Sequence, residues 1–125
     1  MRNLPIAFGN SCFAKTWTNK STTFDELCVR LEQTIRTTES TEEYPALPKT
    51  ERDRIKDKGG FVGGQLRDNR RKRENVACRS MLTLDCDHAD AGFIDRFVTD
   101  CRYAACLYTT HGHTPEAPRV RVIVP

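Results

Sequence analysis

Apolar and polar positions along this chain come in short bursts, each bounded by glycine, proline or a run of charge. Leu4 to Phe8 is an apolar run closed by Gly9, the pattern of a first strand, and Trp17 follows in a polar connection rich in Thr, Asn and Lys. At Thr23 the period changes. Thr23-x-x-Glu26 is a capping box, and Phe24, Leu27, Cys28, Leu31 and Ile35 recur on one face of a helix. The Thr/Glu-rich stretch from Thr37 to Glu43 and the segment Tyr44-Pro45-Ala46-Leu47-Pro48 are expected to break that helix. Lys49 to Lys58 then reads as a short charged helix stopped by Gly59-Gly60.

Phe61-Val62 lies between two glycine pairs, Gly59-Gly60 and Gly63-Gly64, and suits a short strand leading to a binding surface. Cys78 to Asp87 reads as one strand, with Met81, Thr83, Asp85 and Asp87 on one side and Leu82, Leu84 and Cys86 on the other. Ala91 to Cys101 is expected to be a helix with Phe93, Ile94, Phe97 and Val98 on its apolar face. Tyr103 to Thr110 and Arg119 to Val124 read as two further strands joined by the loop His111 to Pro118. Strands interspersed with helices imply an α+β fold, a mixed or antiparallel sheet with packed helices, and the length of 125 residues implies a single domain over 1–125.

Composition narrows the picture. A hydrophobic share of 38% beside 30% charged residues belongs to a soluble globular protein, and no apolar run approaches the roughly 20 residues that cross a bilayer. The N-terminus lacks an apolar core of signal-peptide length, so no membrane partner is expected and the cytoplasm of a bacterial or phage-infected cell is the default compartment. Six cysteines (Cys12, Cys28, Cys78, Cys86, Cys101, Cys106) in such a chain read as reduced, mostly buried thiols. Net charge is only +3, but Arg67, Arg70, Arg71, Lys72, Arg73 and Arg79 face just Asp68 and Glu74 within one window, and that local excess attracts polyanions.

The chemistry centres on Leu82-Thr83-Leu84-Asp85-Cys86-Asp87. Residues at i and i+2 of a strand project from one face about 7 Å apart, near enough for two carboxylates to converge on a hard cation. Left alone they repel, and burying a carboxylate after an apolar run is costly without a cation or several hydrogen bonds. A divalent metal resolves the repulsion and activates a hydroxyl for attack on a triphosphate. The plain structural alternative is that Asp85 and Asp87 end a strand and cap the next helix, although Asp90 is better placed for that cap.

The segment Tyr108 to Arg121 is rich in phosphate-holding groups: His111, His113, Arg119 and Arg121, with the two arginines at i and i+2. A polar hairpin with exposed histidines is the alternative. Zinc is a minor one, because Cys86, His88, Cys101, Cys106, His111 and His113 supply ligands but no Cys-x-x-Cys knuckle. Arg67, Arg70, Arg71, Lys72 and Arg73 form a basic loop running into the carboxylate strand, suited either to a nucleic-acid backbone or simply to solubility.

Three stretches together resemble the archaeo-eukaryotic primase superfamily as found in phages, prophages and other mobile elements: Gly59 to Gly64 with the basic loop, Arg79 to Asp87, and Tyr108 to Pro125. The resemblance implies an RNA-recognition-like primase-polymerase core in which Asp85 and Asp87 bind Mg²⁺ or Mn²⁺. It also implies that Thr109-Thr110-His111 supplies the histidine that contacts the incoming nucleotide, with His113 and Arg121 as competing candidates. The activity it implies is template-directed primer synthesis by nucleotidyl transfer, with a DNA template, nucleoside triphosphates and a helicase in the same replication system as partners. A further acidic motif expected from the superfamily has no strand to carry it before Pro125. The expectation is therefore the N-terminal portion of a catalytic domain, or else a non-catalytic nucleic-acid-binding or inhibitor module derived from one.

Overall fold

The computed structural model describes residues 1–125. The chain gathers into two compact units, Met1–Gln33 with Asp57–Leu82 and Pro125 in one, Thr34–Lys56 with Thr83–Val124 in the other. Both carry strands and helices, and the class is α+β, as the order of elements implied.

In the first unit β1 (Leu4–Gly9) is the middle strand of a three-stranded sheet, with Leu4, Ile6 and Ala7 buried. Its antiparallel neighbours are β2 (Thr18–Thr22) and β3 (Gly60–Val62). β2 was not legible as a strand, because Thr-Asn-Lys-Ser-Thr contains no apolar residue. It forms because the backbone edge of a buried strand needs partners, and because Trp17, just before it, is buried with Ala7 and Leu66 and draws the chain in. β4 (Gly64–Leu66) and β5 (Val76–Arg79) make an antiparallel hairpin with a bulge at Gln65/Leu66. Asn19 splices β2 to this hairpin: its amide donates to the Leu66 carbonyl at 2.8 Å, and its oxygen accepts the Leu66 N–H at 3.0 Å.

The capping box forms as read, with Glu26 N–H donating to Thr23 Oγ1 at 3.2 Å and Thr23 N–H to the Glu26 carboxylate at 2.8 Å. α1 (Phe24–Glu32) ends sooner than its apolar period suggested, leaving Ile35 outside the helix and exposed. Gly59 has φ +85°, and a Cβ there would meet the Gly9 carbonyl at 2.5 Å, so this turn requires glycine. Beside it Asp57 accepts from the Ser11 hydroxyl at 2.5 Å and the Cys12 N–H at 2.9 Å, tying that turn to the chain before β3.

The expected single strand from Cys78 to Asp87 is two strands, β5 and β6 (Leu82–Cys86), broken at Ser80 and Met81. Ser80 donates its N–H to Gly63 O at 2.9 Å and its hydroxyl to Pro5 O at 2.5 Å, while Met81 turns inward. A hydroxyl that bonds the backbone competes with the strand ladder, and this one wins.

In the second unit β8 (Val120–Val124) lies between β6 and β7 (Cys106–Thr109), and β7 is antiparallel to it from Cys106↔Ile123 to Thr109↔Val120. Val120, Val122 and Ile123 are buried. β6 is an edge strand whose Leu82 and Leu84 are 59% and 50% exposed, so the carboxylates do not leave a buried strand as expected. α2 (Glu43–Ala46) runs through Pro45, where a break was expected; a proline in a first turn lacks only an N–H that has no helical partner anyway. Ser40 and Glu43 hold this turn by reciprocal bonds of 2.8 and 3.0 Å. α3 (Lys49–Lys56) is laced by Asp53, whose carboxyl is lowered to about 2 by hydrogen bonds from Lys49 and Lys56. α4 (Phe93–Asp100) leaves Val98, expected on its apolar face, exposed.

No cysteine is disulfide-bonded, but the expectation of mostly buried thiols fails: Cys12 and Cys78 are exposed and the other four half-buried. The strands carrying Cys78 and Cys86 are largely exposed, so an apolar residue there is not a core residue. No helix is long and apolar enough to cross a membrane.

Replacing Asn19 with Ala strands both Leu66 backbone groups and is expected to cost about 2 kcal/mol in urea unfolding, with the threonines Thr18 and Thr22 far more tolerant. Asp57 contributes an acid-sensitive share of stability. Its carboxyl is held below the ordinary range by the Ser11 hydroxyl and Cys12 N–H, so the folded form binds its proton less readily than the unfolded chain. That share is complete above the ordinary carboxylate value of about 3.9 and drains as pH falls through the depressed one. Asp57→Asn should flatten the wild-type loss of Tm across that acid window, measured by circular dichroism.

Candidate functional site

Asp85 stands on β6, and Arg121 stands on the neighbouring β8. Arg121 Nε donates to Asp85 Oδ1 at 2.5 Å, and another guanidinium nitrogen donates to the Tyr108 hydroxyl at 3.3 Å. Tyr108 is the register partner of Arg121 on β7. One row of side chains thus crosses all three strands. Burial opposes the Arg121 charge, but the Asp85 hydrogen bond and the Tyr108 hydroxyl outweigh it and raise the guanidinium pKa above its ordinary value.

Asp87 lies one residue past β6, exposed, in a bend, so the pair does not share a strand face in the manner expected. Residues 85–90 and Phe93 line an open depression of about 460 Å³. Asp90 is bound to Arg96 at 2.8 Å and accepts the Gly92 N–H at 3.0 Å, but the N-cap of α4 is Gly92 and no side chain caps the helix, so Asp90 does not take the capping role expected of it. The donors available to a cation are Asp85, whose Oδ1 is held by Arg121, and Asp87. Both are hard oxygen ligands, and no group of three His, Cys, Asp or Glu converges anywhere in the chain. Two carboxylates fit Mg²⁺ or Mn²⁺ where waters and ligand phosphates complete the shell, not an all-protein cage. The zinc set of Cys86, His88, Cys101, Cys106, His111 and His113 likewise does not assemble.

The two histidines have different surroundings. His113 Nδ1 accepts the Arg119 N–H at 3.2 Å, which places its proton on Nε2 and braces the β7–β8 loop. His111 Nε2 sits 3.2 Å from Thr37 Oγ1, with the Tyr44 ring edge-on at 4.5 Å. Arg119 precedes β8; its carbonyl accepts the Thr110 N–H at 2.9 Å, and its side chain lies along Gly112, exposed and without an acidic partner.

The basic loop belongs to the first unit. Its base is rigidly made: Asp68 and Asn69 both have positive φ, the Asn69 carbonyl accepts the Trp17 N–H at 2.7 Å, and Asn75 donates to Arg67 O at 3.2 Å. Two successive left-handed residues that are not glycine persist only where neighbours over-determine them. Arg67, Arg70, Arg71, Lys72 and Arg73 are all exposed and none is ion-paired; Arg71 lies over the Trp17 ring at 5.3 Å. Sequence reasoning found the charges but missed Trp17 and Asn69 as their support, for which the only signal was a tryptophan stranded in a polar stretch.

A protein-family model described as the VapE N-terminal domain matches residues 1–125. The chain belongs to that family. The VapE-like family places it among proteins of phages and mobile elements, the setting that the primase resemblance implied. Comparison of this VapE N-terminal domain with curated proteins and with solved structures gave no match.

The Asp85–Arg121 bridge is part-exposed, and such pairs contribute up to about 1 kcal/mol. Asp85→Asn is therefore expected to shift the urea midpoint by no more than that, and a loss above about 3 kcal/mol would mark the pair as a structural pin instead.

Proposed function

We propose that this domain supplies the nucleotide-engaging part of a primase-type nucleotidyl transferase that makes primers on a DNA template. The observation that carries the reading is the contact between Asp85 and Arg121, because it brings the acidic motif and the arginine-bearing strand β8 into one row. Asp85 and Asp87 would hold Mg²⁺ or Mn²⁺, which when bound neutralises triphosphate charge and lowers the cost of hydroxyl attack. Arg121, released from Asp85, and the unpaired Arg119 offer planar forks to phosphate oxygens. His111 or His113 completes the nucleotide contact. Arg67, Arg70, Arg71, Lys72 and Arg73 grip the template backbone as an ordered cationic loop. Membership of a VapE-like phage and mobile-element family supports a replication setting, in which a helicase is the expected companion and the bacterial cytoplasm the expected compartment.

A second reading is a nucleic-acid-binding or inhibitor module without catalysis. It is favoured by one specific observation: five exposed cations stand ready on a braced loop, while the carboxylates number only two. One experiment separates the two. Template-directed incorporation of labelled nucleotides with Mn²⁺, lost in Asp85→Asn with DNA binding retained, is the result expected of the transferase; DNA binding with no incorporation supports the module. In either case, changing Arg70, Arg71, Lys72 and Arg73 together to Gln should leave Tm unchanged and flatten the salt dependence of DNA affinity by about four phosphate contacts.

A further inference from the structure

Phe13 leaves its ring almost wholly in water, 84% exposed, although the turn that carries it is firmly bonded. The Ser11 carbonyl accepts the Ala14 N–H at 3.1 Å, and the Ser11 hydroxyl accepts the Phe13 N–H at 3.1 Å while donating to Asp57 at 2.5 Å. Asp57 also takes the Cys12 N–H at 2.9 Å. From the same turn Ala14 packs inward against the cluster of Ala7, Trp17 and Leu66, so the small residue meets the core and the large one faces solvent. Burial alone favours the reverse, since a phenylalanine ring gains far more from leaving water than an alanine methyl does.

The turn leads directly to the basic loop. The Ala14 carbonyl accepts the Trp17 indole N–H at 3.2 Å, the Trp17 backbone N–H is bound to Asn69 O at 2.7 Å, and Arg71 lies over the Trp17 ring at 5.3 Å. These contacts hold the Phe13 ring within roughly 20 Å of the Arg71 cation, a distance that about six stacked nucleotides cover. No aromatic residue lies between Arg67 and Arg73; the fold supplies one from the connection between β1 and β2. Cations that hold phosphates, near a fixed and exposed ring on which any base can stack, are the two parts of a single-strand binding site. Bases in a duplex are already stacked on one another and offer no free face. A protein partner or a lipid surface fits less well, because the ring's exposed neighbours Lys15 and Thr16 are polar and make no apolar patch with it. We propose that Phe13 is a base-stacking site that acts with the basic loop, so that the loop holds unpaired nucleic acid in preference to duplex. This rests on the reading of Arg67 to Arg73 as a loop that grips phosphates.

Fluorescence anisotropy of the full chain with a labelled oligonucleotide, single-stranded or annealed to its complement, tests the site. The single strand is expected to bind more tightly than the duplex. Phe13→Ala should weaken single-strand binding about tenfold, the loss of one stacked base, with Tm, duplex affinity and salt slope unchanged. Phe13→Trp should keep the wild-type affinity, whereas Phe13→Leu, apolar but without a π face, should behave as Phe13→Ala. Single-strand affinity indifferent to Phe13→Ala, or lost equally for single strand and duplex, overturns the stacking role. Wild-type affinity in Phe13→Leu overturns it too, as the mark of a merely apolar contact. No binding of either nucleic acid by any form sinks the loop reading and the site with it; a salt slope flattened by the Gln changes at Arg70, Arg71, Lys72 and Arg73, beside indifference to Phe13→Ala, sinks the stacking alone.

Discussion

Arg121 holds Asp85 through Oδ1 alone, so a cation at this carboxylate would compete with the guanidinium for one negative charge, and the proposed chemistry of the second unit turns on that competition. In the state described, the guanidinium holds the carboxylate and the Tyr108 hydroxyl together across β6, β8 and β7. The row is poised rather than sealed, because Asp85 is exposed and Asp87 beside it is unpaired. On the proposed reading, a ligand bearing both a cation and phosphates would satisfy each member of the row at once, the cation meeting Asp85 and the phosphate meeting Arg121. A cation alone, or a phosphate alone, displaces one charge and strands the other. Coupled binding of the two is what that reading predicts.

The first unit answers a different need. Five like charges on a short loop repel one another, and an unsupported loop relieves that by spreading. Here Trp17, Asn19 and Asn69 fix the loop's base, two positive-φ residues set its direction, and the cation of Arg71 rests on the Trp17 face. Pre-organised charge loses less entropy on meeting a phosphate backbone than a mobile tail does. That is the physical support for the proposed contact with a nucleic-acid backbone.

Much of the fold was legible because local rules governed it. The capping box at Thr23, the apolar β1 and the strand pair that includes Val120 to Val124 all follow from neighbours in sequence, whereas α3 ends at Lys56, short of the expected stop at Gly59. The misses share a cause as well. β2 is polar and exists for the sake of β1; the break at Ser80 depends on Pro5 and Gly63; α2 tolerates Pro45 because its first turn has no bond there to lose. Each is decided by a partner far along the chain or by position within a turn. At the site, the residues Asp85, Asp87, Arg119, Arg121 and the histidines were visible as types in a pattern. That Arg121 occupies Asp85, and that Thr37 and Tyr44 meet His111, was not, since periodicity says nothing about pairing between strands or with a distant loop.

The central claim is that Asp85 exchanges Arg121 for a divalent cation when nucleotide arrives. Electron paramagnetic resonance of Mn²⁺, titrated with and without a non-hydrolysable ATP analogue, tests it most directly. The account predicts weak Mn²⁺ binding alone, marked tightening with the analogue, and loss of that tightening in Asp85→Asn. Equal Mn²⁺ affinity in wild type and Asp85→Asn, with the analogue present, would contradict it.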